Sequence, residues 1–315
     1  MSSPTVVAVP PSAFPTITAR VAEIDAALMA ARGHAALGDA VWRDLERPDE
    51  QSAALFVPDG DTGDAAFAHV ARSDTFAPPH WTIGLAVRPD TSGTDVRALL
   101  DAATRHVAMR GGGRVVAWVF DATPGDDAAM GSAGFEPARD LYEMRVTLPI
   151  TEAVEWPPGI VVRDFEPGRD EQDWLRVNNR AFENHPEQGA WVEATLARRM
   201  DEPWFDPSLF ILAFDDEGLA GFNWCKIHPA PDSGDGDDAG ALGEIFVIGV
   251  DPSRAGRGIG RPLALAGLQR MHERGITRGQ LFTNADNTRS IKLYEGIGFR
   301  VHRIDRSYAR EVAPT

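Results

Sequence analysis

The sequence predicts an α/β chain built as two domains in tandem, and three observations predict it. One is the run Glu244-Ile-Phe-Val-Ile-Gly-Val-Asp-Pro-Ser-Arg-Ala-Gly-Arg-Gly-Ile-Gly260, in which a buried strand passes directly into a glycine-rich turn and then a helix. Another is the stretch 147–159, where Pro149, Pro157, Pro158 and Gly159 mark a linker between two halves of similar length, 1–150 and 151–315. The third is a weak echo, in the first half, of the strand and helix order of the second.

In the first half, 53–57 and 65–71 read as a hairpin about the turn Asp59-Gly60-Asp61. Residues 81–87 read as a strand stopped by Arg88-Pro89-Asp90, 95–109 as a helix, 114–120 as a strand and 126–131 as a short helix. Gly134-Phe135-Glu136-Pro137 then turns into a last strand, 141–148. In the second half, 160–164 is a strand and 170–178 and 189–200 are helices. Strands 209–214 and 219–227 close a hairpin on Asp215-Asp216-Glu217-Gly218. The acidic run 231–239 reads as a solvated loop rather than a metal site, because it lacks the distal glutamate of a calcium loop. Strand 244–250 is rich in β-branched residues (Ile245, Val247, Ile248, Val250), which suits a strand covered on both faces. Helix 259–274, strand 279–283, helix 288–296 and strand 299–304 complete the half.

Composition bounds the function. The 315 residues, 43% hydrophobic and 25% charged, are those of a soluble globular protein, and 47 acidic against 31 basic residues give a formal net charge of −16. That balance argues against nucleic acid or an anionic membrane as partner and favours a small or cationic substrate. A single cysteine, Cys225, forms no intrachain disulfide, and neither a signal peptide nor a membrane span is read. A cytoplasmic, monomeric protein is the expectation.

Gly256, Gly258 and Gly260 let backbone approach a ligand closely, and the free N–H groups of the helix that follows bind anions, so a pyrophosphate is the natural guest. The spacing satisfies neither the dinucleotide fingerprint nor the triphosphate loop. V-D-P-x-x-x-x-R-G-I-G, followed by Asp286-Asn287 and by Leu293-Tyr294-Glu295-x-x-Gly298-Phe299, resembles the acyl-CoA-binding core of the GNAT N-acetyltransferases. The resemblance implies two GNAT domains, each a mixed, mostly antiparallel sheet flanked by helices, with acetyl-CoA as co-substrate and no metal. It implies CoA contacts from Ile248, Gly249 and Val250. Further contacts would come from the loop residues Ala255, Gly256, Arg257, Gly258, Ile259, Gly260 and Arg261, and from Asn287, Thr288, Arg289, Ser290, Ile291 and Lys292 at the next helix. Ala255 stands where the family usually carries Gln or Arg, and Arg254 or Arg257 is expected to substitute, Arg257 being the better placed among the glycines.

Acetyl transfer to an amine needs a base for the amine, an oxyanion site and an acid for the leaving thiolate. By the resemblance, Glu244 is the base acting through a water, the N–H groups of Ile248 and Val250 face the thioester where two strands splay, and Tyr294 is the acid. On residues alone, Glu244 reads equally as an exposed carboxylate at a strand end, Tyr294 as core packing and Asn287 as a helix cap. Superposing Val87-Arg88-Pro89 on Val250-Asp251-Pro252 places Asp95 and Arg97 where Gly258 and Gly260 stand, and counting back five residues from Phe135, as Tyr294 stands from Phe299, gives Met130 in place of the tyrosine. The first half is therefore read as a degenerate repeat that has lost its phosphate loop.

A narrower resemblance lies in the run from Leu175 to Trp191 and in Glu202-Pro-Trp-Phe-Asp-Pro207. It continues in Gly221-Phe-Asn-Trp-Cys-Lys-Ile-His-Pro229 and in the strand from Gly243. These are similar to the mycothiol synthases, a family of tandem GNAT enzymes. The resemblance implies transfer of acetyl to the cysteinyl amine of desacetylmycothiol, with substrate contacts from Asp39, Glu187, Lys226, Glu244 and Phe282. Phe282 replaces a family tyrosine, so one hydroxyl contact is lost. The rivals are a GNAT enzyme acting on another small-molecule or peptide amine, and a non-catalytic acyl-CoA sensor.

Overall fold

The structure is a computed structural model that describes residues 5–59, 63–73, 79–183, 188–230 and 240–315. By packing, the chain divides into Met1–Leu141 with Arg303–Thr315, and Tyr142–His302. The sequence places the boundary at 150/151, in the linker. The chain instead leaves the first unit within one strand and returns to it within the last.

In the first unit the sheet runs β1 (Val7–Val9), β2 (Ala53–Pro58), β3 (Asp64–Ser73), β4 (His80–Val87), β5 (Gly113–Val119), with the end of β12 (Arg300–Val312) and then β6 (Glu136–Thr147) beyond. Only β4 and β5 pair in parallel among the registers of this unit. Helices α1 (Phe14–Arg32) and α2 (Asp39–Glu46) bury Phe14, Ile17, Val21, Ile24 and Leu28 against Phe56 and Phe67. The alternate residues Leu55, Ala68 and Val70 face the other way, toward α3 (Gly93–Ala108) and α4 (Pro124–Ser132), as period-two strands require.

Three elements of this unit, β1, α1 and α2, go beyond the sequence expectation. The buried positions of α1 recur every three or four residues, but its outer face is largely alanine (Ala19, Ala22, Ala26, Ala30) with few charges such as Glu23, so the contrast that reveals an amphipathic helix is weak. β12 also outruns its expected end at 304. Its pairing from Arg306↔Val119 to Val312↔Gly113 covers the edge of β5, which a shorter strand would leave open.

In the second unit the order is β6, β11 (Arg278–Asn284), β10 (Leu242–Val250), β9 (Gly218–His228), β8 (Phe210–Asp215), β7 (Val161–Asp164). β10 and β11 are parallel; β7/β8, β8/β9 and β9/β10 are antiparallel, giving the mixed, mostly antiparallel sheet expected. Helices α5 (Glu171–Ala181) and α6 (Glu193–Met200) cover one face. There Trp174 stands edge-on to Trp191, Phe210, Phe222 and Trp224, and Phe210 stacks on Trp224 at 4.5 Å. Helices α7 (Gly260–Glu273) and α8 (Thr288–Ile297) cover the other, burying Cys225, Ile245, Leu268 and Leu281. Gly267 lets α7 sit close, since a Cβ there would lie 2.3 Å from the Asn223 amide nitrogen. That amide in turn donates to the Leu263 carbonyl at 2.8 Å.

Candidate active site

The opening in the second sheet begins where β10 and β11 part. Their ladder comprises Gly243↔Gly279, Glu244↔Gln280 and Ile245↔Leu281, although β10 continues to Val250 and β11 to Asn284. A bulge between Ile245 and Val247 in the β9 register turns β10 at that point. The Asp251 N–H donates to the Ala220 carbonyl across β9. Amides alternate in direction along a strand, so Gly249 points the same way and Ile248 and Val250 point away from β9, into the unpaired side. Two donors are thus fixed in an opening, the arrangement that polarises a carbonyl.

Below that opening the chain builds an anion cradle. Asp251, fully buried, caps a short 3-10 turn (Pro252–Arg254) by accepting from the Ser253 N–H at 2.9 Å and hydroxyl at 2.6 Å. Gly256 and Gly258 have φ of +82° and +79°, conformations that side-chain-bearing residues rarely adopt. Gly260 needs no such freedom: it is the first residue of α7, and its role is to bring the helix start in. The residue before it, Ile259, gives α7 no side-chain cap, so the first N–H groups of the helix are open to a ligand.

Three cations around the cradle are already engaged. Arg254, expected as a stand-in for the missing residue at 255, is buried and forked onto Asp215 at 3.2 and 3.3 Å. That hydrogen bonding holds the Asp215 carboxyl below its ordinary range. Arg257 is exposed and also reaches Asp215, at 2.9 Å. Arg261 pairs with Glu152 of the linker and donates to the Gly296 carbonyl at 3.1 Å.

A cleft of about 510 Å³ joins these parts. Of the residues the sequence nominates for CoA, Ile248, Gly249, Val250, Ala255, Gly256, Gly258, Ile259, Gly260, Arg261, Asn287, Arg289 and Ser290 line it. Arg257, Thr288, Ile291 and Lys292 are not among its lining residues, and Ile291 packs toward the core instead. Sequence reasoning did not nominate Ala181, Phe182 and Leu293, which do line it: the first two lie past the expected end of their helix at 178, and Leu293 entered only as part of the Tyr294 motif. Asn287 is the cap of α8, accepting from the Ser290 N–H at 3.2 Å, and it faces the cleft as well. Tyr294 is 8% exposed, rests edge-on against Phe299, and lines the cleft. Burial pushes its phenol up to about 12, so it holds its proton throughout the neutral range. Burial raises the Cys225 thiol to about 12 too.

Glu244 is buried rather than exposed at its strand end. Its Oε2 lies 2.5 Å from His228 Nε2 and 3.4 Å from Gln280 Nε2. Lys226 stands directly opposite Glu244 in the β9 register, its ammonium 4.9 Å above the Trp204 ring. Strand alternation puts Phe282, 37% exposed, on the same face of β11 as Gln280. Register and alternation therefore put Lys226, Glu244 and Phe282 on one face, and His228, which the sequence showed only as part of a motif, stands there with them. Glu187 and the acidic run 231–239 lie outside the described residues. Asp39 opens α2 of the first unit. Among the described residues no group of three or more His, Cys, Asp or Glu is placed to hold a metal ion, and no helix is long and apolar enough to cross a membrane.

The ungapped superposition of the two halves needs correction. β4 and α3 are joined by residues 88–92, and β10 and α7 by 251–259, so Asp95 and Arg97 fall inside α3 rather than in a loop. The first helical residue, Gly93, is the counterpart of Gly260.

A parallel strand pair that opens beside two fixed amides, above a glycine turn feeding an uncapped helix, defines an acetyltransferase of the GNAT class. Residues 171–299 match the acetyltransferase (GNAT) family. More narrowly, the chain belongs to the mycothiol acetyltransferase family. It is 41% identical over 258 residues to a mycothiol acetyltransferase of Thermobispora bispora, covering 81% of this chain and 83% of that protein. A GCN5-related N-acetyltransferase from Sphaerobacter thermophilus superposes with a TM-score of 0.73 at 26% identity, covering 98% of this chain and 96% of that one. A tandem GNAT protein from the clavulanic acid biosynthesis pathway shares the fold, at a TM-score of 0.69 and 17% identity over 99% of both chains.

Proposed function

We propose that the chain transfers acetyl from acetyl-CoA to the cysteinyl amine of desacetylmycothiol, forming mycothiol, in the cytoplasm and as a monomer. Residues 151–315 carry the catalysis, and 1–150 form a degenerate repeat. The observation that carries this reading is that Ile248 and Val250, with their outward amides, and the protonated phenol of Tyr294 line one cleft of the second unit, while the buried carboxylate of Glu244 stands earlier on the same strand, β10.

The α7 N-terminus and the Gly256–Gly258 turn cradle the pyrophosphate of acetyl-CoA, and the pantetheine arm runs along the open side of β10 toward Ile248. Glu244 draws a proton from the substrate ammonium through a water, and the free amine attacks the thioester carbon. The amides of Ile248 and Val250 hold the resulting oxyanion. Collapse breaks the C–S bond, Tyr294 gives its proton to the thiolate, and the proton released from the new amide nitrogen returns to the phenol through solvent. Lys226 and Glu187 offer a donor and an acceptor to the sugar and inositol hydroxyls.

The test is to incubate purified protein with acetyl-CoA and desacetylmycothiol and measure the acetylated thiol, beside a panel of aminoglycosides and peptide amines. Selective turnover of desacetylmycothiol supports the proposal. A higher kcat/KM on another amine would give the function to that substrate, and no turnover on any amine would favour the acyl-CoA sensor.

A further inference from the structure

We propose that His228 is a positioning residue for Glu244, fixing its carboxylate; this rests on reading Glu244 as the base. His228 closes β9, and its Nε2 lies 2.5 Å from Glu244 Oε2. An ionised carboxylate only accepts, so the ring carries its proton on Nε2 in this contact. The Glu244 side chain is 11% exposed while the His228 ring is 34% exposed, so the imidazole stands between the buried carboxylate and solvent. Its Nδ1 makes no hydrogen bond among the described residues.

With a neutral ring, the Nε2–H holds one carboxylate oxygen, Oε2, and leaves Oε1 without a hydrogen bond among the described residues. The groups sharing this face by register are Lys226 on β9, Glu244 on β10, and Arg278 and Gln280 on β11. Gln280 Nε2, at 3.4 Å from the same Oε2, is a weaker second donor that cannot titrate.

The experiment compares His228→Ala, His228→Gln and Glu244→Gln with wild type in kcat and KM for acetyl-CoA across pH, with acetyl-CoA binding by calorimetry as a check on folding. Gln places an amide donor near Nε2 without a titratable proton. Loss of orientation should cost His228→Ala on the order of 10- to 100-fold in kcat, with acetyl-CoA affinity unchanged. His228→Gln should recover most of that rate. Wild-type kcat in His228→Ala, alongside a Glu244→Gln enzyme that is impaired, would overturn the role of His228 and leave the base in place. A Gln variant no better than Ala would also overturn it. An unimpaired Glu244→Gln enzyme would instead remove the base on which the proposal rests.

Discussion

Strands β4 and β10 each turn out of a sheet into a helix, and the two turns have been finished in opposite ways. After β10, residues 251–259 make a 3-10 turn and two left-handed glycines before α7 starts without a side-chain cap. After β4, residues 88–92 fold straight back: the Arg88 N–H and the Thr91 hydroxyl both donate to the Ala65 carbonyl. Ser92 then caps α3, accepting from the Asp95 N–H at 3.2 Å and donating its hydroxyl to the Asp95 carboxylate at 2.7 Å. The donors that α7 leaves for a phosphate are taken at α3 by the chain itself, and a carboxylate sits at the helix start. A shared strand–turn–helix order therefore does not carry a shared site; the length of the turn and the identity of the cap decide it.

The largest expected effect is at Gly258. Gly258→Asp puts a side chain at φ +79° and a negative charge beside the cradle, and calorimetric titration should detect no acetyl-CoA binding. Affinity within tenfold of wild type, by this order-of-magnitude criterion, would mean that the turn is not the phosphate site. Tyr294→Phe comes next: it should lower kcat by roughly 10²- to 10⁴-fold, with acetyl-CoA affinity kept because the ring still packs on Phe299.

The same residue gives a stability effect of intermediate size. Burial raises the Tyr294 phenol to about 12, above its unfolded value near 10. Its contribution is whole below the unfolded value and is lost as pH rises through the folded one, because the unfolded chain ionises first. Urea melts at pH 9 and pH 12 should show wild type losing about 2–3 kcal/mol more than Tyr294→Phe over that interval. Equal losses would place the phenol in solvent. The smallest effect belongs to the closed turn: Ser92→Ala should cost about 1 kcal/mol in stability and leave acetyl-CoA affinity unchanged. A change in that affinity would break the contrast between the two helix starts.

Much of the second unit was legible because its chemistry is local in sequence. The glycine turn, the strand before it and the Tyr294 helix lie within a short stretch, each marked by turn residues or β-branched runs. Splaying of β10 from β11 was not legible from residues alone, since it depends on which neighbours a strand lacks. Nor was His228 marked out: its role arises from the β9–β10 register, which brings it to Glu244 across 16 residues of sequence. In the first unit, α1 was hidden by its alanine-rich outer face, and the ungapped comparison misplaced Asp95 because a shortened turn leaves no trace in residue type. The length of β12 was set by the open edge of β5, a demand made at a distance of well over a hundred residues.

The contrast between the two helix starts is tested most directly by the number of acetyl-CoA molecules bound per full-length chain, measured by calorimetric titration. One site per chain, absent in Gly258→Asp and unchanged in Asp95→Ala, is the predicted result. A stoichiometry near two, or a site that survives Gly258→Asp, would contradict the conclusion that only the second unit keeps its cofactor cradle.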